Sequence, residues 1–302
     1  ECALLKLSSF FAIFLLVSIG LGASDPNLNW PQWRGPLGTG VAPDAKPPLV
    51  WSEEKNVRWK TALPGLGHST PIVWKDRIYL TTAVPYGERV KAKPDTAPGA
   101  HDNSPVTQHH EFVALAVDRA SGKIVWKKTL HKEFPHEGGH VSGSLASASP
   151  ATDGERIYVY FGSRGLYCLS TDGKLLWKKN LGRMQSKHAH GEGSSPVLFG
   201  DTIVVNWDHE GDSFLAAYDK PTGKLIWKTK RKYKCPREGD HSYATPTVID
   251  HKGEQRIVTW GAEHVTCHRA SNGKLLWECG GFNPKRNPLW VTVASALMVS
   301  PM

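Results

Sequence analysis

The chain has 302 residues, five cysteines and a formal net charge of +9 at pH 7. The positive surplus is not interleaved with base-stacking aromatics, which removes nucleic acid from the expected partners. No CxxC pair occurs, so the common dithiol redox motif is absent.

Residues 1–24 read as a secretory signal, with Lys6, an apolar run over 7–21, and Gly22-Ala23-Ser24 as a small-residue cleavage site. A membrane anchor is the alternative, but the run is too short to span a bilayer comfortably. Removing it takes away Glu1 and Lys6, which cancel, so the mature charge stays at +9. The mature protein is therefore expected to be periplasmic or secreted, with no stable membrane span. The chain opens on Glu1 rather than Met, which reads as a record cut at its start. Residues 25–58 form an N-terminal extension, and 59–302 hold the folded unit.

Within that unit one pattern repeats. Trp126, Trp177, Trp227 and Trp277 follow one another at spacings of 51, 50 and 50 residues, each after a Gly-Lys-aliphatic-aliphatic phrase that begins at Gly122, Gly173, Gly223 or Gly273. Upstream of each lies a small-residue–Pro start: Ser69-Thr70-Pro71, Ala148-Ser149-Pro150, Ser194-Ser195-Pro196 and Ala244-Thr245-Pro246. A fixed period near fifty residues marks a repeat architecture. The third repeat shows its content. Pro196-Val197-Leu198-Phe199 is apolar, Gly200-Asp201 is a turn, and Thr202-Ile203-Val204-Val205-Asn206-Trp207 is β-branched and aromatic. After a polar stretch, Phe214-Leu215-Ala216-Ala217-Tyr218 is apolar again, and Leu225-Ile226-Trp227 closes the unit. Four short strands with turn residues between them, and no helical periodicity, predict a four-stranded propeller blade. The fold class is therefore all-β, a β-propeller with four whole blades beginning near Pro71, Pro150, Pro196 and Pro246. Partial blades flank them: Val57-Arg58-Trp59-Lys60 has the pattern of a closing strand, and residues 293–302 that of a fifth blade's first strand. Together they suggest part of a seven- or eight-bladed ring. Trp59 and the four repeat tryptophans are assigned to blade-to-blade docking with their glycines, and no catalytic residue is assigned.

The phrase Ala217-Tyr218-Asp219-Lys220-Pro221-Thr222-Gly223-Lys224-Leu225-Ile226-Trp227 resembles the tryptophan-docking motif of the PQQ-repeat propellers, and residues 116–126 match nearly as well. The second repeat is one residue short in its turn, and the fourth has Cys267 and Arg269 where the motif has Ala and Asp. The resemblance covers about residues 59–296 and takes in quinoprotein dehydrogenases, the assembly propeller BamB and secreted PQQ-binding-like proteins. It implies the fold and leaves two functions open: a non-catalytic envelope scaffold that binds a protein or small-molecule ligand, or a PQQ-dependent oxidoreductase with Ca²⁺. The vicinal cysteine pair of quinoprotein alcohol dehydrogenases is absent from this chain.

The lysine pairs Lys127-Lys128 and Lys178-Lys179, with Lys228 and Lys230, directly follow repeat tryptophans. On exposed edge strands they discourage edge-to-edge pairing, with anionic-surface binding as the alternative. Cys168 and Cys267 take the small docking position and are expected to be buried. Cys235 and Cys279 fall in connections between blades, where a disulfide would suit an oxidising compartment.

Histidines are sorted by face. His68, His131, His136, His140, His188, His190 and His241 are expected between blades, and His101, His109, His110, His209 and His264 between second and third strands. Both sets of connections open on one propeller face, together with a long insertion over 85–111, whereas His251 and His268 lie elsewhere. Binding residues concentrate on loops held by a rigid scaffold. The densest group is His188-Ala189-His190-Gly191-Glu192 with Asp208-His209-Glu210 from the next loop, His188, His190, Glu192 and His209 being the candidate ligands. In an extended segment the two imidazoles and the carboxylate point to one side, and that set suits a transition metal. A polar network lining a propeller channel, or acid–base work, are the other readings.

Overall fold

The structure, a computed structural model, describes residues 29–92, 97–235, 239–287 and 292–296. The signal-like segment lies outside them, as does most of 293–302.

Four antiparallel four-stranded sheets follow in chain order. Blade I comprises β1 (Ile72–Trp74), β2 (Arg77–Tyr86), β4 (His109–Asp118) and β5 (Ile124–Glu133). Between its second and third strands, β3 (Asn103–Ser104) leaves the blade and pairs with β6 (Gly139–His140) in the connection that follows. Blade II is β7 (Ala151–Thr152), β8 (Arg156–Tyr160), β9 (Leu166–Ser170) and β10 (Leu175–Lys179). Blade III is β11 (Val197–Phe199), β12 (Thr202–Trp207), β13 (Phe214–Asp219) and β14 (Leu225–Lys230). Blade IV is β15 (Thr247–His251), β16 (Glu254–Gly261), β17 (His264–Arg269) and β18 (Leu275–Cys279). Each blade begins one residue after its Pro, which lacks the N–H a ladder position would need.

Alternation along each strand places apolar side chains on both sheet faces, so the cores lie between blades. In β4, Phe112, Ala114 and Ala116 join Ile157, Val159 and Leu169 of blade II. Leu115 and Val117 turn the other way, towards Trp59. Tyr158, Tyr160 and Cys168 meet Ile203, Val205 and Trp207 of blade III, and Val204, Leu215 and Ala217 meet Ile257 of blade IV. No blade buries its faces alone, and neighbours complete the core.

The repeated motifs occupy the two ends of each blade–blade seam. At the rim, Trp59 Nε1 donates to Arg119 O, Trp126 to Thr171 O, Trp177 to Lys220 O and Trp227 to Ala270 O, at 2.9–3.0 Å. Each indole reaches a turn of the following blade and lies over that turn's glycine: Trp59 on Gly122, Trp126 on Gly173, Trp177 on Gly223 and Trp227 on Gly273. These glycines have φ of +65° to +87°, and a Cβ there would sit 2.4–2.8 Å from an indole carbon. Trp277 is exposed, with no turn beneath it among the described residues. Each repeat Trp is paired across the ladder with a small residue, Ala116, Cys168, Ala217 or Cys267, and a bulge follows at the same step in every blade.

Near the axis, a hydroxyl ladder links the starts of the blades. Thr70 N donates to Ser149 Oγ, Ser149 N to Ser195 Oγ, Ser195 N to Thr245 Oγ1 and Thr245 N to Ser295 Oγ, at 2.8–3.0 Å. The residue before each Pro is thus Ser or Thr because its hydroxyl caps the preceding blade. Residues 29–38 run along the inner strands: Trp30 bridges Val73, Pro31 O accepts from Thr152 N, and Trp33 to Gly38 face Val197 and Val248.

The rim contact yields a direct expectation. Gly223→Ala should destabilise by about 2–4 kcal/mol, the sum of left-handed backbone strain and overpacking against Trp177. Gly253→Ala has φ +79° but open space at its Cβ and should cost only the strain, about 1–2 kcal/mol. Urea unfolding of the two variants separates the docking contribution from the backbone one.

Candidate functional site

The histidine-rich face is built from the insertion and the connections between blades, and its buried charges form two separate networks. In the first, Arg164 sits in a tight 3-10 turn, Gly162–Arg164, between β8 and β9, its side chain 4 % exposed. Its Nε donates to Glu133 Oε1 at 2.7 Å and its Nη1 to Glu192 Oε1 at 3.0 Å. Ser163 Oγ donates to the same Glu192 carboxylate at 2.6 Å. Gly162 leaves room for this carboxylate: a Cβ there would lie 1.6 Å from Glu192 Oε2. Burial opposes ionisation of Glu133, but the charge and hydrogen bond of Arg164 outweigh it and hold its carboxyl below the usual range.

The second network lies between blades III and IV. Arg231 Nε donates to Asp208 Oδ1 at 2.7 Å and Oδ2 at 3.0 Å, with both side chains almost wholly buried. Gly261 makes space for Asp208 as Gly162 does for Glu192. Arg231 Nη1 donates to the Thr266 hydroxyl, which lies 3.0 Å from His268 Nε2. His268 Nδ1 faces Gly273 O at 3.1 Å, and a carbonyl only accepts, so that nitrogen carries the proton. Burial pushes the His268 pKa down to about 4, against the backbone hydrogen bond and with help from the Arg231 charge.

The imidazoles form a third group. His101, from the insertion, has ring centroids 5.0 Å from His188 and 4.7 Å from His190, and His140 lies 4.9 Å from His190. Their nitrogens are engaged with the backbone: His101 Nδ1 and His188 Nδ1 face Gly99 O, and His190 Nε2 faces His101 O at 2.9 Å. His209 Nδ1 accepts from Gln185 N and Gly211 N, and His241 Nδ1 pairs with Glu210 at 3.1 Å.

His188, His190, Glu192 and His209 are therefore not brought round one point. Glu192 is drawn into the Arg164 network, His188 and His190 lock the insertion to the blade II–III connection, and His209 folds back on its own loop. Among the described residues no group of three or more His, Cys, Asp or Glu is arranged to hold a metal ion. His109, His110, His131, His140 and His264 lie within strands rather than loops: β2 and β4 run ten residues each and carry the insertion outward, β5 runs on through His131, and β6 and β17 hold His140 and His264. Cys235 and Cys279 form no disulfide: the Cys235 thiol donates to Glu263 Oε1 at 3.1 Å, and Cys279 is exposed. Cys168 and Cys267 are buried.

Glu192, Asp208, His209 and His241 line a narrow axial cavity of about 20 Å³ with Tyr160 and Ser194. That is room for a water or two. A tricyclic quinone does not fit there, and Ca²⁺ needs six to eight oxygens, whereas both carboxylates already serve arginines. Beside it, a polar cleft of about 640 Å³ is lined by Glu137, Arg183, Lys187, Glu210, Lys234 and Asp240. Arg164, Glu133 and Arg231 carry the architecture of this face and were not singled out in the sequence. Their only local signal is an arginine in the Gly162-Ser163-Arg164-Gly165 turn and another directly after β14.

The radial stack of four-stranded blades with tryptophan docking defines a PQQ-repeat β-propeller. The family model described as outer membrane protein assembly factor BamB matches residues 110–293, more than half of the chain, and the chain belongs to that family. It is also similar to the quinohemoprotein alcohol dehydrogenase ADH IIB of Pseudomonas putida, 24% identical over 205 residues, 65% of this chain and 27% of that protein. The dehydrogenase subunit of the quinone-type alcohol dehydrogenase of Komagataeibacter europaeus is 25% identical over 194 residues, 60% of this chain and 25% of that subunit. The chain thus spans about a quarter of the length of these curated relatives. Among solved structures, BamB from Moraxella catarrhalis is similar with a TM-score of 0.39 and 16% identity, over 60% of this chain and 49% of that one.

Two outcomes are expected from these networks. Arg164→Ala leaves Glu133 and Glu192 buried without their cation and should destabilise by about 3–5 kcal/mol, read by urea unfolding. For His268, folding depresses the pKa, so its contribution is complete above about pH 6.5 and is lost as pH falls towards about 4. Its share of the acid loss is at most about 1.4 kcal/mol per pH unit. His268→Gln should be less stable at neutral pH yet lose less between pH 7 and 5, by urea midpoints at both values.

Proposed function

We propose that this chain is a non-catalytic binding scaffold of the cell envelope, periplasmic or secreted, which takes a ligand or protein partner on its histidine-rich loop face. The observation that carries this reading is that the face is rigidly organised while its charged groups are spent on one another. Arg164 and Arg231 hold the carboxylates that line the axis, and the imidazoles pin the insertion to its neighbours. Such a surface is preorganised for contact, which lowers the ordering cost of binding. The matched family's description as an assembly factor supports a protein partner. The quinoprotein reading draws on the dehydrogenase relatives, but the residues described at the axis do not fit a quinone with Ca²⁺. No helix among the described residues is long and apolar enough to cross a membrane.

The test is site-specific photocrosslinking in cells from Val141, exposed on the histidine-rich face, and from Lys252, in the turn opening blade IV on the opposite face. Discrete adducts are expected from Val141 and not from Lys252. Adducts from neither position, or dye reduction with alcohols well above an untreated control after reconstitution with PQQ and Ca²⁺, overturn the scaffold reading.

A further inference from the structure

The outermost strands of blades II and III share a composition that the binding face does not use. β10 reads Leu-Leu-Trp-Lys-Lys and β14 reads Leu-Ile-Trp-Lys-Thr-Lys, and neither contains an acid. In blade IV the corresponding strand carries Glu278, whereas the acid of β5 in blade I, Glu133, ends the strand and is turned inward to Arg164. Trp177 docks on Gly223, so β10 and β14 belong to adjacent blades, and a flat surface can touch two neighbouring rims at once. Lys178, Lys179, Lys228 and Lys230 make no ion pair among the described residues; Lys178, Lys228 and Lys230 are exposed, Lys179 is half-buried beside Gly223, and Lys228 lies over the Phe214 ring at 3.7 Å. Lys174 and Lys224 are partly neutralised by Asp172 and Asp219 in the adjoining turns. Beside the four lysines stand two exposed aliphatic pairs, Leu175 with Leu176 and Leu225 with Ile226, between 36% and 53% exposed.

Edge protection accounts for the lysines, since a charged edge resists pairing with another strand. It does not account for the aliphatic pairs held outward beside them, a feature of the repeated phrase that blade I shares in Ile124 and Val125. Lysine beside aliphatic, with no acid, is the chemistry of an anionic lipid surface: the aliphatics enter the headgroup boundary, and the flexible lysine stems reach phosphates. Nucleic acid would call for exposed stacking aromatics, and here the tryptophans are turned onto the next blade.

We propose that the rim formed by β10 and β14 docks on an anionic lipid bilayer, through Lys178, Lys179, Lys228 and Lys230 with Leu176 and Ile226. This surface is separate from the loop face, so its failure leaves the scaffold reading standing, and the reverse also holds.

The test is flotation of the protein with vesicles of phosphatidylcholine alone or with about 30% phosphatidylglycerol, the anionic component supplying the surface potential. At least tenfold more protein should float with the anionic vesicles, and the difference should collapse in about 500 mM salt. Lys178→Gln/Lys179→Gln/Lys228→Gln/Lys230→Gln should lose binding at least fivefold, and Leu176→Ser/Ile226→Ser severalfold. All six positions are at the rim, and unchanged circular dichroism confirms that the variants fold. A control with Lys46, Lys55, Lys252 and Lys285 changed to Gln carries the same net charge and should bind like the parent. Equal loss in that control makes net charge the cause and overturns the rim. So does an absence of vesicle binding, and retention on polyglutamate without vesicle binding points instead to an acidic protein.

Discussion

Between neighbouring blades the same two hydrogen bonds recur, one at the axis and one at the rim, and everything else in the fold is arranged around them. The axial bond runs from a backbone N–H to the hydroxyl that precedes the next blade's first strand. The rim bond runs from an indole N–H to a turn carbonyl of the next blade. Two fixed points per seam define the spacing and tilt of one sheet on the next, and the apolar side chains between them fill the gap. This is why a seam tolerates Ala, Cys, Val, Ile, Tyr and Phe in varied combinations while its ends repeat. Each end also demands a partner of a particular size. The indole needs a glycine beneath it and a small residue across the ladder, so three features of the fifty-residue phrase follow from one contact.

These demands explain what could be read without coordinates. The spacing of Trp126, Trp177, Trp227 and Trp277 and the Ser/Thr-Pro starts are nearest-neighbour contacts, and they recur because the geometry recurs. Blade number and strand order were therefore legible. The two buried charge networks were not, because they occur once each. Arg164 reaches Glu133 and Glu192 across 31 and 28 residues, and no period links those positions. The alternation in His188-Ala189-His190-Gly191-Glu192 suggested one cluster, on the assumption of a regular extended segment. In the structure Ala189 and Gly191 both have positive φ, at +53° and +87°. The chain turns at these residues and the side chains part company, Glu192 towards Arg164 and the imidazoles towards the insertion. A local twist of the backbone, invisible in residue type, undid the inference.

The same contrast separates the two surfaces of the protein. At the rim, one phrase is copied from blade to blade, and only small departures, such as the loss of acids from β10 and β14, distinguish neighbours. On the loop face nothing is copied, and the insertions, single arginines and histidines belong to one connection each. Ring stacking thus supplies a uniform frame, while differences between blades accumulate where the frame places no demand.

The buried pairs Arg164–Glu192 and Arg231–Asp208 bear on how that face behaves. Hydrophobic packing would hold the loops with less desolvation cost, since a buried ion pair seldom stabilises more than a well-packed apolar replacement. What an ion pair adds is directional: each guanidinium donates to its carboxylate from a fixed plane, and Gly162 and Gly261 leave the space the carboxylates occupy. Two loops joined this way can exchange few alternative packings. The imidazole group works differently, because its members contact the insertion through ring edges and backbone carbonyls rather than through ion pairs. Both parts of the face are thus held, the axial side by ion pairs and the insertion, through Gly99 and His101, by hydrogen bonds to His188 and His190. For the binding role proposed above, groups already held in place would lower the ordering cost of contact.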